Sequence, residues 1–187
     1  MEIIAKNQLQ ERHLHAYTEY ADTSLRHYLK LALSIVVCIC IRAKSVTVHL
    51  PLELQHPKVY KNLDRGSHFI DFGEFLKKTF GINLYWENAP LLNYGTWNLK
   101  FGQTEWIRIS KKIDICLDTG HLILGAKSAT LARKRILKVI TERGNQIKHL
   151  HISENDFVYD QHKRPKKIIT KKLLKVITKN RTFIYER

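Results

Sequence analysis

Hydrophobic positions alternate with polar ones in six short runs along the chain. The run at 113–118 sets Ile113, Ile115 and Leu117 between Asp114 and Cys116, the two-residue period of a buried strand. Ser45–His49 is β-branched, Ile82–Trp86 is mostly apolar, and Ile147–Ile152 sets Ile147, Leu150 and Ile152 among Lys148, His149 and His151; all three suit strands. Shorter runs near 12–16 and 182–186 complete the set. Longer helical patterns fall between them. Asp22 and Ser24 can start a helix reaching about Arg42, with Leu25, Leu29, Leu31, Leu33, Val36 and Val37 as its apolar positions. Ile70–Phe80 is amphipathic and stops at Gly81, Thr130–Arg143 stops at Gly144, and Lys171–Lys179 is helical. Residues 53–69 and 91–104 read as loops, and a short helix is expected around Glu105–Ser110. Strands alternating with helices imply βα units, a parallel sheet and right-handed crossovers.

Polar residues of one chemical kind stand where these strands end. His15, His49, Glu87, Asp118 with His121, His151, Asp160 with His162, and Glu186 lie at the carboxyl ends or in the loops just beyond. A doubly wound sheet concentrates its chemistry at one switch point, whereas a (β/α) barrel gathers all strand ends on one face. The spread of these residues therefore favours a barrel. A carboxylate-and-imidazole set suits Zn²⁺, Mn²⁺, Fe²⁺ or Co²⁺ better than the all-oxygen preference of Ca²⁺. Each residue also has a plain structural reading. Asp118 can cap the next helix and leave His121 on its surface. His15 can lie on an edge strand, His49 can close a strand, and Asp160 and His162 can be loop residues. Glu87 is harder to explain away, because an acid directly after Leu84-Tyr85-Trp86 is costly without a partner. His149 and His151 share one strand face; His151, nearer the end, is the candidate ligand and His149 a structural residue.

Composition adds compartment and partners. At 187 residues one domain with a real core is expected. The amino terminus lacks a basic signal-peptide region, and the apolar run Leu31–Ile41 is too short to span a bilayer and suits a buried helix. No membrane association is expected. Cys38, Cys40 and Cys116 stand in apolar settings without zinc-type spacing, as free thiols of a reducing cytoplasm would. The net charge is +15. Residues 161–187 carry ten Lys and Arg against the single acid Glu186. That section can attract nucleic acid or phosphorylated substrates, or can simply be a solvated face.

The ordered motifs Leu-His-Ala-Tyr at 14–17, Val-His-Leu-Pro at 48–51, Glu-Asn-Ala-Pro at 87–90, Leu-Asp-Thr-Gly-His at 117–121, His-Leu-His-Ile-Ser-Glu-Asn-Asp at 149–156, Asp-Gln-His at 160–162 and Tyr-Glu at 185–186 resemble the xylose isomerase-like TIM barrels. That group holds sugar phosphate isomerases and epimerases and endonuclease IV-type apurinic endonucleases. In the isomerase branch one divalent metal (Mn, Zn, Co or Mg) is held by residues matching Glu87, Asp118, His151 and Glu186. The two glutamates, Glu87 and Glu186, act there as acid and base in a 1,2-proton transfer on a sugar or sugar phosphate. In the endonuclease branch three zinc ions use the wider set that adds His15, His49, His121, Asp160 and His162. The wording of Glu-Asn-x-Pro and of 149–162 is closer to the isomerase branch. Relative to that family the chain begins at the second strand and stops at the seventh, and it lacks the glycine-rich turn after His162. The resemblance therefore implies an incomplete (β/α)₈ barrel, residues 1–187, with two exposed sheet edges. Such a chain can be an enzyme, a remnant without activity, or one completed by a homo-oligomer or another partner.

Overall fold

The computed structural model describes residues 13–15, 24–50, 63–88 and 113–186. The chain divides into two compact units that meet between Glu87 and Asn88. The first unit contains β1 (His13–His15), α1 (Leu25–Cys40), β2 (Ser45–His49), α2 (Leu63–Phe80) and β3 (Asn83–Glu87). Its strands pair in parallel, β1 on β2 and β2 on β3, with His49 level with Glu87. The second unit contains β4 (Ile115–Asp118), α3 (Thr119–Ile123), α4 (Ala129–Arg143), β5 (Ile147–Ile152), α5 (Lys171–Ile177) and β6 (Thr182–Tyr185). Here β4 pairs with β5 and β5 with β6, again in parallel, with Asp118 level with His151. The fold is α/β, of the (β/α)₈-barrel type and incomplete, with six strands among the described residues.

Strand cores are built as their sequences require. Val46, Val48, Leu84 and Trp86 are fully buried in the first unit, as are Cys116, Leu117, Leu150 and Ile152 in the second. Strands buried on both faces are what helix-flanked parallel sheets demand. Trp86 packs edge-on against Phe69 of α2 at 5.9 Å and donates its indole N–H to Glu74 at 3.0 Å. Gly73 of α2 faces the same ring, and a Cβ there would lie 2.5 Å from Trp86 Cζ2 and 2.9 Å from Leu84 Cδ2. Alanine ordinarily stabilises a helix over glycine by about 1 kcal/mol. Gly73→Ala is expected instead to destabilise the fold by about 1–2 kcal/mol through overpacking. Urea denaturation followed by Trp fluorescence measures it, and a gain in stability would refute the packing argument.

Two expectations need correction. Residues 63–69 are helical, not loop, because α2 begins at Leu63 and runs through Gly66; Asp64-Arg65-Gly66-Ser67 looks like a turn only in isolation. The helix at Leu31–Ile41 is not buried as a whole. Only His27, Leu31, Ile35 and Cys38 of α1 face inward, while Leu25, Leu29, Leu33, Val36 and Val37 are exposed. The helix expected at Glu105–Ser110, the loop at 91–104, all of 51–62, Asp22 at the expected helix start and the ends of three motifs (Ala16 and Tyr17, Pro51, Ala89 and Pro90) lie outside the described residues. Cys38, Cys40 and Cys116 are free thiols. Among the described residues, no helix is long and apolar enough to cross a membrane.

Candidate metal centre

In the first unit the strand ends bring three of the expected residues together. Glu87 is fully buried, and its carboxylate lies 2.8 Å from His15 Nε2 and 3.5 Å from His49 Nε2. The two imidazoles stand edge to face at 5.3 Å. Hydrogen bonding to imidazole is what such a buried acid needs.

The second unit holds the other six. Asp118 ends β4 and caps α3, accepting from the His121 backbone N–H at 2.8 Å. Its cap role is therefore real, but His121 is buried rather than on the surface. The His121 Nδ1–H donates to the Asn88 carbonyl at 2.6 Å, which turns Nε2 towards Asp160 at 3.2 Å and Asp118 at 3.8 Å. His151 Nδ1 lies 2.9 Å from Glu186. His162 bridges Asp160 at 3.2 Å and Glu186 at 3.0 Å. His149 is tied down by Thr182 at 2.6 Å.

Residues that the spacing of strands does not single out hold this arrangement. Asn88 clamps Asp118 twice, accepting from its N–H at 2.8 Å and donating to its carbonyl at 3.0 Å. The Thr119 hydroxyl donates to the Ser153 carbonyl at 3.0 Å, with the His151 carbonyl also in reach at 3.2 Å, and accepts from the Ser153 N–H. Asn155 donates to Asp160 at 2.9 Å and accepts from the N–H groups of Gln161 and His162. That grip holds His162 in a left-handed backbone conformation, φ 45°. Glu154 accepts four backbone N–H bonds, from Lys166, Lys167, Ile168 and Ile169, at 2.6–3.0 Å. The motifs Glu-Asn and Ser-Glu-Asn-Asp contain these side chains, but their partners lie up to 33 residues away.

Donor chemistry fits a divalent cation. Ligand atoms of Asp118, His162 and Glu186 lie within 4.8 Å of one another, as do those of His121, Asp160 and His162. The first group brings two carboxylates together with little water, and like charges so placed call for a proton or a cation between them. Oxygen and imidazole donors suit Zn²⁺, Mn²⁺ or Co²⁺.

The ion pairs set the protonation of the metal-free protein. Burial alone would raise the carboxyl groups of Asp160 and Glu186. Hydrogen bonds outweigh it, from His121 and His162 at Asp160 and from His151, His162 and Asp118 at Glu186, and hold both well below the usual carboxylate range. Asp160 and Glu186 lift His162 from its ordinary 6.5 to about 10. The lowered acids stabilise the fold above their ordinary range and lose that contribution as the pH falls through their folded values. The raised imidazole stabilises fully below 6.5 and loses its contribution as the pH climbs towards 10. Both describe the same ion pairs. Chelator-treated protein is therefore expected to be most stable between about pH 4.5 and 6.5. Urea midpoints across pH 3–10 measure this, and a midpoint still rising from pH 7 to 9 would contradict it.

In sequence, the chain matches no family model and no curated protein. In structure it is similar to a D-tagatose 3-epimerase-like protein, with a TM-score of 0.64 and 20% identity over 95% of this chain and 70% of that one. It is also similar to the TTHB071 protein from Thermus thermophilus, from a crystal soaked with ZnCl₂, with a TM-score of 0.62 and 14% identity over 94% of this chain and 70% of that one. These likenesses establish the fold.

Proposed function

We propose that the chain is a divalent-metal-dependent isomerase or epimerase acting on a sugar or sugar phosphate. The observation that carries this reading is the convergence of Asp118, His162 and Glu186, with His151 bonded to Glu186, beyond the carboxyl ends of three parallel strands. Asp118, His151 and Glu186 would hold the metal. The family resemblance adds Glu87 as a further ligand and as the second acid/base, and Glu87 enters the proposal on that ground alone. The epimerase-like neighbour is consistent with the same chemistry.

A bound divalent ion would polarise the sugar carbonyl and its neighbouring hydroxyl. Glu186 then takes the proton from the carbon next to the carbonyl. In an isomerisation Glu186 would return that proton to the adjacent carbon while the hydroxyl proton passes to the former carbonyl oxygen. In an epimerisation Glu87, protonated beforehand, would give its own proton to the opposite face of the same carbon and leave Glu186 protonated. His151 orients Glu186 through their hydrogen bond. His121 and His162 meet the substrate or buttress the ligands, and Asp160 orients both.

Elemental analysis of natively purified protein, beside Asp118→Asn and Glu186→Gln, tests the metal. The expected result is one metal per chain, lost in both variants. Incubation with ketohexoses, ketopentoses and their phosphates in D₂O tests the chemistry, because proton transfer through an exchangeable carboxyl group carries solvent deuterium into carbon. Metal binding without deuterium incorporation across that panel would remove the isomerase reading. A stoichiometry of three zinc ions, with cleavage of abasic-site DNA, would favour the endonuclease-like reading, for which the second donor group of His121, Asp160 and His162 is the supporting observation. A folded chain without metal would be a remnant scaffold.

A further inference from the structure

Cations are gathered on one continuous stretch of the second unit's surface. α5 carries Lys171, Lys172 and Lys175, all exposed, within about 100° of its circumference, and exposed Lys179 follows just beyond its end. The opposite side of the helix, Leu173 and Ile177, is buried. The loop before it adds exposed Lys163, Arg164, Lys166 and Lys167. No acid occurs between residues 161 and 185. Glu154, whose carboxylate meets this loop, is buried and turned onto the N–H groups of 166–169. The exposed acid Asp156 interacts with Lys163, at the start of the basic run.

This placement costs local stability. Lys171 and Lys172 stand in the first turn of α5, at the positive end of its dipole, where acids are favoured and none is present. Lys171 and Lys175 are like charges one helical turn apart, a further local penalty. Gln would form the helix as well and avoid both penalties. Local rules broken with no return inside the fold mark a surface that serves a partner. The surface is also held ready. Arg133 of α4 donates to the carbonyls of Lys167 and Ile168 at 2.7 and 2.9 Å, and Thr170 caps α5. Cations carried on a preset backbone lose less freedom on binding.

We propose that this surface binds the phosphate backbone of a nucleic-acid duplex without regard to sequence. A run of cations without acids calls for a polyanion. A membrane surface fits poorly, because α5 keeps Leu173 and Ile177 in the core and, of its apolar residues, exposes only Val176, which leaves nothing to insert. A single strand needs aromatic side chains on which its bases stack, and residues 163–179 contain none. Base reading relies on Asn, Gln and the forked Arg, and this stretch has no Asn or Gln and a single Arg. What remains is lysine, a point charge that follows phosphates. The binding requires neither a metal nor a sugar, and it stands apart from the isomerase reading.

Fluorescence anisotropy of a labelled duplex of about 20 base pairs, titrated with the full chain, tests this. A chelator present throughout keeps binding separate from any cleavage. The expected dissociation constant is on the order of 1–10 μM at about 0.05 M salt, weakening with a log–log salt slope of about 4–5 as about five phosphates are neutralised. Duplex DNA and duplex RNA should bind within about fivefold of each other, because both offer the same phosphates. Lys171→Gln, Lys172→Gln and Lys175→Gln together should weaken binding at least about tenfold and lower the slope by about 3, with circular dichroism unchanged. Arg26→Gln, Lys44→Gln and Lys78→Gln remove three exposed charges from the first unit instead and should weaken it less than about threefold. No duplex binding at about 0.05 M salt, equal losses in the two triple variants, tighter binding of the single strand, or capture by phosphatidylserine vesicles in preference to the duplex would each overturn the proposal.

Discussion

Glu154→Ala is expected to lower the free energy of unfolding by about 3–4 kcal/mol, because buried backbone donors lose their acceptor. Glu154 is buried, and its two oxygens receive the N–H groups of four consecutive residues, 166–169. The bonds from Ile168 and Ile169 are themselves buried. Each orphaned donor there costs about 1–3 kcal/mol, whereas water can replace the acceptor at Lys166 and Lys167. The backbone of Glu154 also pairs both ways with Lys163, so the loop that presents Asp160 and His162 is fastened close to both of its ends. Glu154→Gln keeps one acceptor oxygen but turns an NH₂ group towards backbone donors, and about half the loss is expected. Urea denaturation of both variants measures it. A loss under about 1 kcal/mol for Glu154→Ala would mean that water enters and replaces the carboxylate.

Gly120→Ala is expected to cost about 3 kcal/mol and to abolish metal retention if the proposed centre is correct. A Cβ at Gly120 would collide with Ser153 Oγ and stand 2.9 Å from Asn155 Nδ2 and 3.2 Å from Asp118 Oδ1. Two of the three are held in place. Ser153 and Asn155 are buried, Asn155 is held by Asp160 and by two backbone N–H groups, and Asp118 Oδ1 accepts from the His121 N–H. The methyl group therefore displaces the ligand loop rather than a flexible side-chain tip. Denaturation gives the stability and elemental analysis the metal. A variant as stable as its parent would show that the Ser153 hydroxyl can swing clear.

The strands are legible in the sequence because each is a short β-branched or alternating run, and the observed bounds differ from the expected ones mainly by a residue or two at the ends. The candidate donors are legible because a polar side chain directly after an apolar strand is conspicuous. Glu87 and Asp118 are buried at such positions. Their scaffold is not legible. Asn88, Glu154 and Asn155 act through backbone groups remote in sequence, and no periodicity reports a hydrogen bond to a main-chain N–H. The start of α2 escapes because Asp64-Arg65-Gly66-Ser67 has turn composition, yet the structure continues the helix through it. The outward face of α1 escapes for a different reason. Apolar periodicity says that a face is sticky, and only the folded unit reveals which of two sticky faces the core has used.

The lysines of 163–179 reach beyond binding to the speed of encounter. Residues 88–187 carry 21 Lys and Arg against 8 Asp and Glu, and Lys163, Lys166, Lys171, Lys172 and Lys175 are exposed. A field of that sign draws an approaching dianion inward and leaves a neutral molecule to diffusion. Raising the ionic strength from about 0.01 to about 0.15 M shortens the reach of that field from about 30 to about 8 Å. Capture of a phosphorylated sugar would slow steeply over that range, and capture of a free sugar would not. The salt dependence of kcat/KM thus separates the two substrate classes before either is identified by name.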